Sequence, residues 1–114
     1  MEPLSPFYYT DSSTIDLEYK NIFQKQWQLI GLSNELPNHN DYICREVGNL
    51  SIIVQNTKGD LAAFRNVCPH RFSQLKDKET GSSPLVCPYH GWSFNGSGEL
   101  SGVPLEQTFS CKMI

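Results

Sequence analysis

The sequence predicts a mainly β protein: an antiparallel β-sandwich with two ligand-bearing loops at one end, preceded by an N-terminal helix. Beyond residue 40, short runs of β-branched and aromatic residues alternate with turn signals that contain glycine or asparagine, which is typical of antiparallel sheets. Two of the connections in this region carry cysteine and histidine close together. Before residue 30, apolar residues recur at helical spacing. At 114 residues, the chain is long enough for one small domain.

The N-terminal part is predicted to form an arm, a helix and a first strand over residues 1–35, ahead of a domain over residues 36–114. The prolines and tyrosines of residues 1–12 indicate an extended arm. Ser13 or Thr14 is a candidate helix cap. The apolar residues Tyr19, Ile22 and Phe23 then form a helical stripe. The segment from Trp27 to Leu32 fits either the continuing stripe or a strand, and periodicity alone leaves both open.

The remaining elements are all predicted to be strands. The turn dipeptide Gly48-Asn49 favours a tight hairpin between its two flanking runs. A turn over residues 57–60 leads into the next strand, and a turn over residues 95–98 leads into the last one. The predicted strands are Asp41 to Val47, Leu50 to Gln55, Leu61 to Asn66, Pro84 to Cys87, Trp92 to Asn95, and a short one at Glu99-Leu100.

Composition argues against several classes of partner. The net charge is −3 and no basic stripe appears, so a nucleic-acid partner is not expected. The most apolar run, residues 50–54, is far too short to cross a membrane. The first residues lack the basic and apolar regions of a signal peptide, so a cytoplasmic protein with reduced thiols is expected. Cys44 and Cys111 are then spectators outside the site described next.

The chemistry-bearing motif is a pair of cysteine–histidine combinations. Cys68 and His70 are followed, after sixteen residues, by Cys87 and His90. A [2Fe–2S] cluster of the Rieske type needs this ligand set, since two histidines replace two cysteines on one iron. Neutral imidazoles in place of thiolates make the cluster easier to reduce, which explains Rieske potentials of about −150 to +300 mV.

Zinc is the competing interpretation, because two cysteines and two histidines are also a standard zinc set. Zinc modules usually pair cysteine with cysteine and histidine with histidine at wider spacing, whereas the pairs here are mixed. A disulfide between Cys68 and Cys87 would leave both histidines unexplained. The spacing therefore favours the cluster.

The run from Cys87 to Phe94, Cys-Pro-Tyr-His-Gly-Trp-Ser-Phe, resembles the second cluster loop of Rieske non-haem iron oxygenases. Respiratory Rieske proteins have cysteine where Tyr89 stands and serine where Trp92 stands. Without that disulfide and that hydroxyl, the resemblance implies a potential toward the low end of the range. It also implies that Cys68 and Cys87 bind one iron and that His70 and His90 bind the other. The residues expected around the ligands are Arg71, Tyr89, Gly91, Trp92, and Pro104 in a third loop, although Pro104 fits a plain strand end equally well.

The N-terminal half adds to this resemblance. Tyr19 to Trp27, followed by Leu36-Pro37 and Asp41-Tyr42, resembles the start of the α subunit of aromatic ring-hydroxylating dioxygenases, over about residues 7–109. That family places Trp27 to Leu32 in a strand. It also implies that a reductase, a ferredoxin or both reduce the cluster. The cluster then passes the electron to a mononuclear iron site, which holds Fe(II) as its cofactor, in a catalytic domain, and that domain also forms a homotrimer.

Catalytic iron of this kind sits in a site of two histidines and one carboxylate. After His70 and His90 are assigned, only His39 remains, so the catalytic domain is expected to be absent from this chain, together with the last strand of the Rieske fold.

The residues after His70 also leave the type of reaction open. The dioxygenases commonly have glycine where Phe72 stands, and Arg71 to Leu75 resembles the O-demethylase type. Hydroxylation and demethylation, which include the catabolism of aromatic compounds, both remain open. The alternative to an oxygenase subunit is a free-standing Rieske ferredoxin.

Overall fold

The computed structural model describes residues 3–104. Its N-terminal part is helical and lies mostly at the surface. A 3₁₀ turn at Pro6–Tyr9 precedes helix α1, Ser12–Glu18, and a π-helical turn at Tyr19–Phe23 extends it. The predicted extended arm is therefore wrong over residues 6–9, where Pro6 starts a 3₁₀ turn capped by the Ser5 side chain. The predicted helix is confirmed, but its cap is Asp11, whose carboxylate accepts from the N–H of Thr14 at 2.9 Å.

The strand predicted for Trp27 to Leu32 does not form. These residues have no strand partner among the described residues and lead into a 3₁₀ turn at Ser33–Glu35. In this segment Gly31 lies close against the Ile43 side chain of the sheet. A Cβ at Gly31 would come within 2.5 Å of the Ile43 Cδ1 atom. The segment therefore covers the sheet face instead of pairing with its edge.

A four-stranded antiparallel sheet forms the body of the fold, in the order β3-β2-β1-β4. The predicted hairpin is confirmed, with its turn at Gly48-Asn49 and Gly48 at a φ of +63°. The predicted third strand is confirmed one residue earlier than expected. The strands are β1 (Asp41–Val47), β2 (Leu50–Thr57), β3 (Asp60–Arg65) and β4 (Thr80–Ser82).

Strand β4 was not predicted because it carries no hydrophobic signal. Its sequence is Thr-Gly-Ser, and it pairs with β1 at the sheet edge, with Gly81 opposite Tyr42. A Cβ at Gly81 would come within 2.5 Å of the Tyr42 hydroxyl. The glycine therefore lets the tyrosine ring lie across the strand.

A second, two-stranded antiparallel sheet pairs β5 (Ser93–Phe94) with β6 (Leu100–Gly102). The turn at residues 95–98 joins them as predicted: Asn95 Oδ1 accepts from the N–H groups of Ser97 and Glu99. The strand predicted for Pro84 to Cys87 is reduced to one bridge, between Val86 and Ser93. Proline at position 84 lacks the N–H that a longer ladder would need.

The hydrophobic core lies between the two sheets and contains the sulfur atoms of the predicted site. Ile53 is fully buried at its centre. Its neighbours are Tyr42, Cys44, Cys68, Leu75, Leu85, Cys87 and Trp92. Both predicted ligand cysteines are thus core residues as well.

No helix within residues 3–104 is long and apolar enough to cross a membrane.

Candidate metal centre

Two loops of matching backbone present the predicted ligands. We call them the first ligand loop (residues 68–73) and the second ligand loop (residues 87–92). In the first, the Cys68 N–H donates to the Ser73 carbonyl at 2.7 Å, and the Phe72 N–H donates to the Cys68 carbonyl at 2.8 Å. The second ligand loop repeats both bonds. The Cys87 N–H donates to the Trp92 carbonyl at 2.8 Å, and the Gly91 N–H donates to the Cys87 carbonyl at 2.9 Å.

This repeat explains the unequal spacing of the two motifs. Each loop begins with Cys-Pro and closes with the same pair of bonds. The histidine stands two residues after Cys68 but three residues after Cys87. The imidazole thus comes from the third position of the first ligand loop and from the fourth position of the second. The two rings can therefore lie side by side while both loops keep the same backbone shape.

Each loop turns through a residue in the left-handed region at its fifth position. Gly91 has a φ of +72°, where glycine carries no steric cost. Phe72 occupies the matching position with a φ of +56°, where a side chain does carry one. Pro104 lies against Gly91: a Cβ there would be 3.0 Å from the Pro104 Cγ atom. Pro104 thus lies beside the second ligand loop.

Cys68 and Cys87, the predicted sulfur ligands, lie together in the core as free thiols. Burial raises the pKa of the Cys68 thiol, and the neighbouring Cys87 acts in the same direction. Burial also acts to raise the pKa of Cys87. There the N–H groups of Tyr89 and His90, with the side chains of Cys68 and Ser73, outweigh it and lower the pKa. Cys87 is therefore easier than Cys68 to convert to the thiolate that binds metal.

The two imidazoles lie next to each other and nearer to solvent than the two cysteines. The ring centroids of His70 and His90 are 4.9 Å apart; His70 is half-buried and His90 is exposed. Desolvation lowers the pKa of His70, and His90 and Arg71 lower that pKa further. The lowered pKa of His70 favours the neutral form, in which imidazole binds a metal.

The site thus consists of a cysteine pair and a histidine pair. Within residues 3–104, no three His, Cys, Asp or Glu side chains converge on one point that could hold a single ion. A tetrahedral zinc site would need four ligands around one centre. A two-iron cluster with sulfur ligands on one iron and nitrogen ligands on the other suits two like pairs. The donor chemistry fits a Rieske cluster better than zinc.

Aromatic rings surround the histidine pair. The Trp92 indole is buried and stacks on His70 with centroids 4.5 Å apart and planes 1° from parallel. The Tyr89 ring lies 3.9 Å from that of His90 and is largely exposed. Arg71 is also exposed. His39, the remaining histidine, accepts from the N–H of Lys58 on an exposed turn.

The profile of the Rieske [2Fe-2S] domain matches residues 26–112, which include both ligand loops. The chain belongs to the Rieske [2Fe-2S] domain family. Membership in this family implies a [2Fe–2S] cluster. It also decides against the zinc module that the ligand count alone left open.

The relatives of this Rieske domain are oxygenase subunits. It is 41% identical over 96 residues to the carnitine monooxygenase oxygenase subunit of Escherichia coli K12, covering 82% of this chain and 26% of the relative. It is 36% identical over 101 residues to the large oxygenase component of the 2,4-dinitrotoluene dioxygenase system of a Burkholderia species, covering 87% of this chain and 22% of the relative.

Solved structures agree with this assignment. Naphthalene 1,2-dioxygenase with bound indole matches with a TM-score of 0.82 at 35% identity, over 89% of this chain and 23% of that one. The quaternary ammonium Rieske monooxygenase CntA with L-carnitine matches with a TM-score of 0.81 at 35% identity, over 92% and 31%. The predicted fold class is confirmed, and the chain spans about a quarter of the length of the curated relatives it matches. It corresponds to their Rieske part.

Sequence reasoning missed two buried polar residues that support the ligand loops. Asn66 and Lys76 are both buried and flank the first ligand loop. A polar residue within a β pattern gives no local signal of such a role, because its hydrogen-bond partners are distant in sequence. The only available hint was the polar Asn66 at the end of a strand-like run.

Proposed function

We propose that this chain binds a Rieske [2Fe–2S] cluster through Cys68, His70, Cys87 and His90. We further propose that it transfers single electrons to the mononuclear iron of an oxygenase catalytic domain. The observation that carries the ligand assignment is the pairing of like side chains: thiols meet in the core, and imidazoles meet 4.9 Å apart nearer to solvent. When bound, the cluster supplies one-electron transfer.

The chain's own residues support this role in three ways. The buried thiols hold the sulfur side of the site away from water. His70 and His90 lie at the outer side, where an electron can enter or leave. The stacked Trp92 indole fixes the plane of the His70 ring, as residues around a metal ligand commonly do.

The surface of the N-terminal part favours an oxygenase subunit over a free-standing ferredoxin. The Trp27 side chain is fully exposed and Leu29 nearly so. A groove of about 500 Å³ is lined by six apolar residues, among them Trp27, Ile30 and Ile52, and by four polar residues between positions 24 and 28. A soluble carrier gains nothing from such a face. The catalytic domain of an oxygenase would cover it.

The same proposal includes the division of the chain. It divides the chain into an N-terminal part over residues 1–35, which contains the arm and the helix, and a Rieske domain over residues 36–114. Within residues 3–104, the first buried side chain is that of Leu36. The partners are a reductase or ferredoxin as electron donor and a catalytic domain as acceptor, assembled as a homotrimer in the cytoplasm. The relatives' names, as subunits and components of oxygenase systems, support a multicomponent assembly.

The ligand set can be tested by loading the chain anaerobically with ferrous iron and sulfide. We expect two irons and two sulfides per chain, and a reduced-state EPR spectrum that shows coupling to two imidazole nitrogens. His39→Ala is the matched control, because it removes the one histidine outside the site and should leave the spectrum unchanged. A colourless protein that holds one zinc would contradict the proposal.

Electron transfer can be tested with the oxygenase subunit of E. coli carnitine monooxygenase from which its own cluster has been removed by mutation of its ligands. We expect this protein to accelerate the oxidation of the reduced chain in anaerobic stopped-flow absorbance measurements when its catalytic iron is Fe(III), because that iron can take up one electron and become Fe(II). The iron-free subunit is the control. Equal oxidation rates with and without catalytic iron would refute the acceptor role.

A further inference from the structure

Lys76 is a charged residue buried at the base of the two ligand loops. Its side chain is 7% exposed. The ammonium donates to the Ser83 hydroxyl at 2.6 Å and to the Pro84 carbonyl at 2.7 Å. It also lies 4.9 Å from the centroid of the Tyr42 ring. Burying an ammonium is costly unless its hydrogen bonds are satisfied, and here neutral oxygens and an aromatic face satisfy them.

Within residues 3–104, no carboxylate forms an ion pair with Lys76 within 4.0 Å, although the more distant Asp77 acts to raise the pKa of Lys76. Among residues 3–104 the ion pair within 4.0 Å joins Arg45 to Glu35, not Lys76. A buried cation without an ion-pair partner acts over long distances, because the protein interior screens it weakly. Its interaction is most favourable with a group that gains negative charge in the same core.

The backbone of Lys76 is held by Asn66, which is also buried. The Asn66 Oδ1 atom accepts from the N–H groups of Leu75 at 3.0 Å and Lys76 at 2.8 Å. The Asn66 Nδ2 atom donates to the Lys76 carbonyl at 2.7 Å. Asn66 stands two residues before Cys68, so these bonds tie the segment that enters the first ligand loop to the segment that leaves it.

The side chain of Lys76 then extends this connection to the second ligand loop. Its acceptors, Ser83 and Pro84, stand four and three residues before Cys87. The path from Asn66 through Lys76 to Pro84 therefore joins the approaches to both ligand cysteines. Binding sites must be held to about half an ångström to work. This path is one polar connection that can hold Cys87 in register with Cys68, beside the contact of the Ser73 side chain with Cys87.

We propose that Lys76 is a positioning residue for the cluster: it holds the two ligand loops at the spacing that the cluster requires, and its buried charge favours the reduced state. The inference rests on the proposed cluster binding. Reduction adds one negative charge to the cluster, and a cation in the same core stabilises that charge.

The test compares Lys76→Met with Lys78→Met in the cluster-loaded chain. Both variants remove one lysine charge, but Lys78 is exposed. We expect Lys76→Met to lower the reduction potential, broaden the EPR lines and release iron to a chelator about tenfold faster, the factor that corresponds to about 1.4 kcal/mol. Lys78→Met should change none of these. A Lys76→Met cluster with wild-type potential and release rate would overturn the inference.

Ser83→Ala separates the two effects and decides the matter if Lys76→Met does not fold. It removes one acceptor of the ammonium and keeps the charge. We expect faster iron release at an unchanged potential, and unchanged release would overturn the positioning role. Failure of the wild-type chain to load a cluster would instead refute the proposed function, so the two failures are distinguishable.

Discussion

At the scale of single residues, the matched positions Phe72 and Gly91 show where the site carries a steric cost. Both lie in the left-handed region, with φ values of +56° and +72°. Only glycine adopts this region freely, and other residues lose about 1–2 kcal/mol. Phe72 is 79% exposed, so packing of its side chain within this chain does not offset the free-energy cost of this backbone conformation.

Phe72→Gly should therefore stabilise the isolated chain by about 1 kcal/mol. Gly91→Ala should destabilise it by a similar amount, because it adds a side chain at the matching position and brings a Cβ within 3.0 Å of Pro104. Chemical denaturation of the cluster-loaded variants measures both. A loss of stability in Phe72→Gly would show that the phenyl ring packs within the chain.

His70→Cys is expected to retain a cluster but to lower its reduction potential. A thiolate brings a negative charge where the imidazole was neutral, so adding an electron becomes harder. A redox titration followed by visible absorbance measures the shift. An unchanged potential would exclude His70 as a ligand.

At the scale of elements, the strands were easier to predict than the N-terminal segments. The β1–β2 hairpin and strand β3 follow from their alternation and turns, because local pattern and tertiary packing agree there. The segment from Trp27 to Leu32 has the composition of a strand, yet it lies across the sheet near Ile43. Strand β4 has no strand-like composition and forms only because Tyr42 and its neighbours in β1 provide a pairing edge.

Strand β2 carries Ile53, which is as fully buried in the core as Cys68. Ile53→Ala should destabilise the chain by about 2–5 kcal/mol, since it leaves a cavity in a packed interior. Val54→Ala is the neighbouring control on the opposite face, where the side chain is only half-buried, and should cost clearly less. Thermal unfolding of the two variants would give equal losses only if the core lay elsewhere.

The exposed arm leads to the opposite expectation. Trp27→Ser should change the stability of the isolated chain by no more than about 0.5 kcal/mol, because the indole contacts solvent. It should also shift the maximum of the intrinsic fluorescence emission to shorter wavelength, because only the buried Trp92 then emits. A stability loss well above 1 kcal/mol would mean that the arm packs against the Rieske domain through this ring.

At the scale of the whole molecule, the cluster site and the hydrophobic core are one unit. Cys68, Cys87 and Trp92 belong to the same buried cluster as Ile53. Metal binding should therefore contribute directly to the stability of the fold.

Cys87→Ala should lose the cluster and, with it, a large part of the resistance to unfolding. Cys44→Ala is the matched control, because Cys44 is a buried thiol of the same core that serves no ligand role. Iron content and thermal unfolding, measured on both variants, compare the two roles. Equal destabilisation with the cluster retained in both would contradict the assignment of Cys87.

The sequence by itself determined the ligand types, their grouping into two mixed pairs, and the β hairpin that precedes them. These features depend on residue identity and on the spacing of residues close together in the chain, and both are visible in the sequence. Only the tertiary structure decided that the two loops share one backbone, that like ligands meet across them, and that Asn66 and Lys76 connect their bases. Those features depend on contacts between residues far apart in sequence, and no local pattern encodes which buried polar group will find its partner.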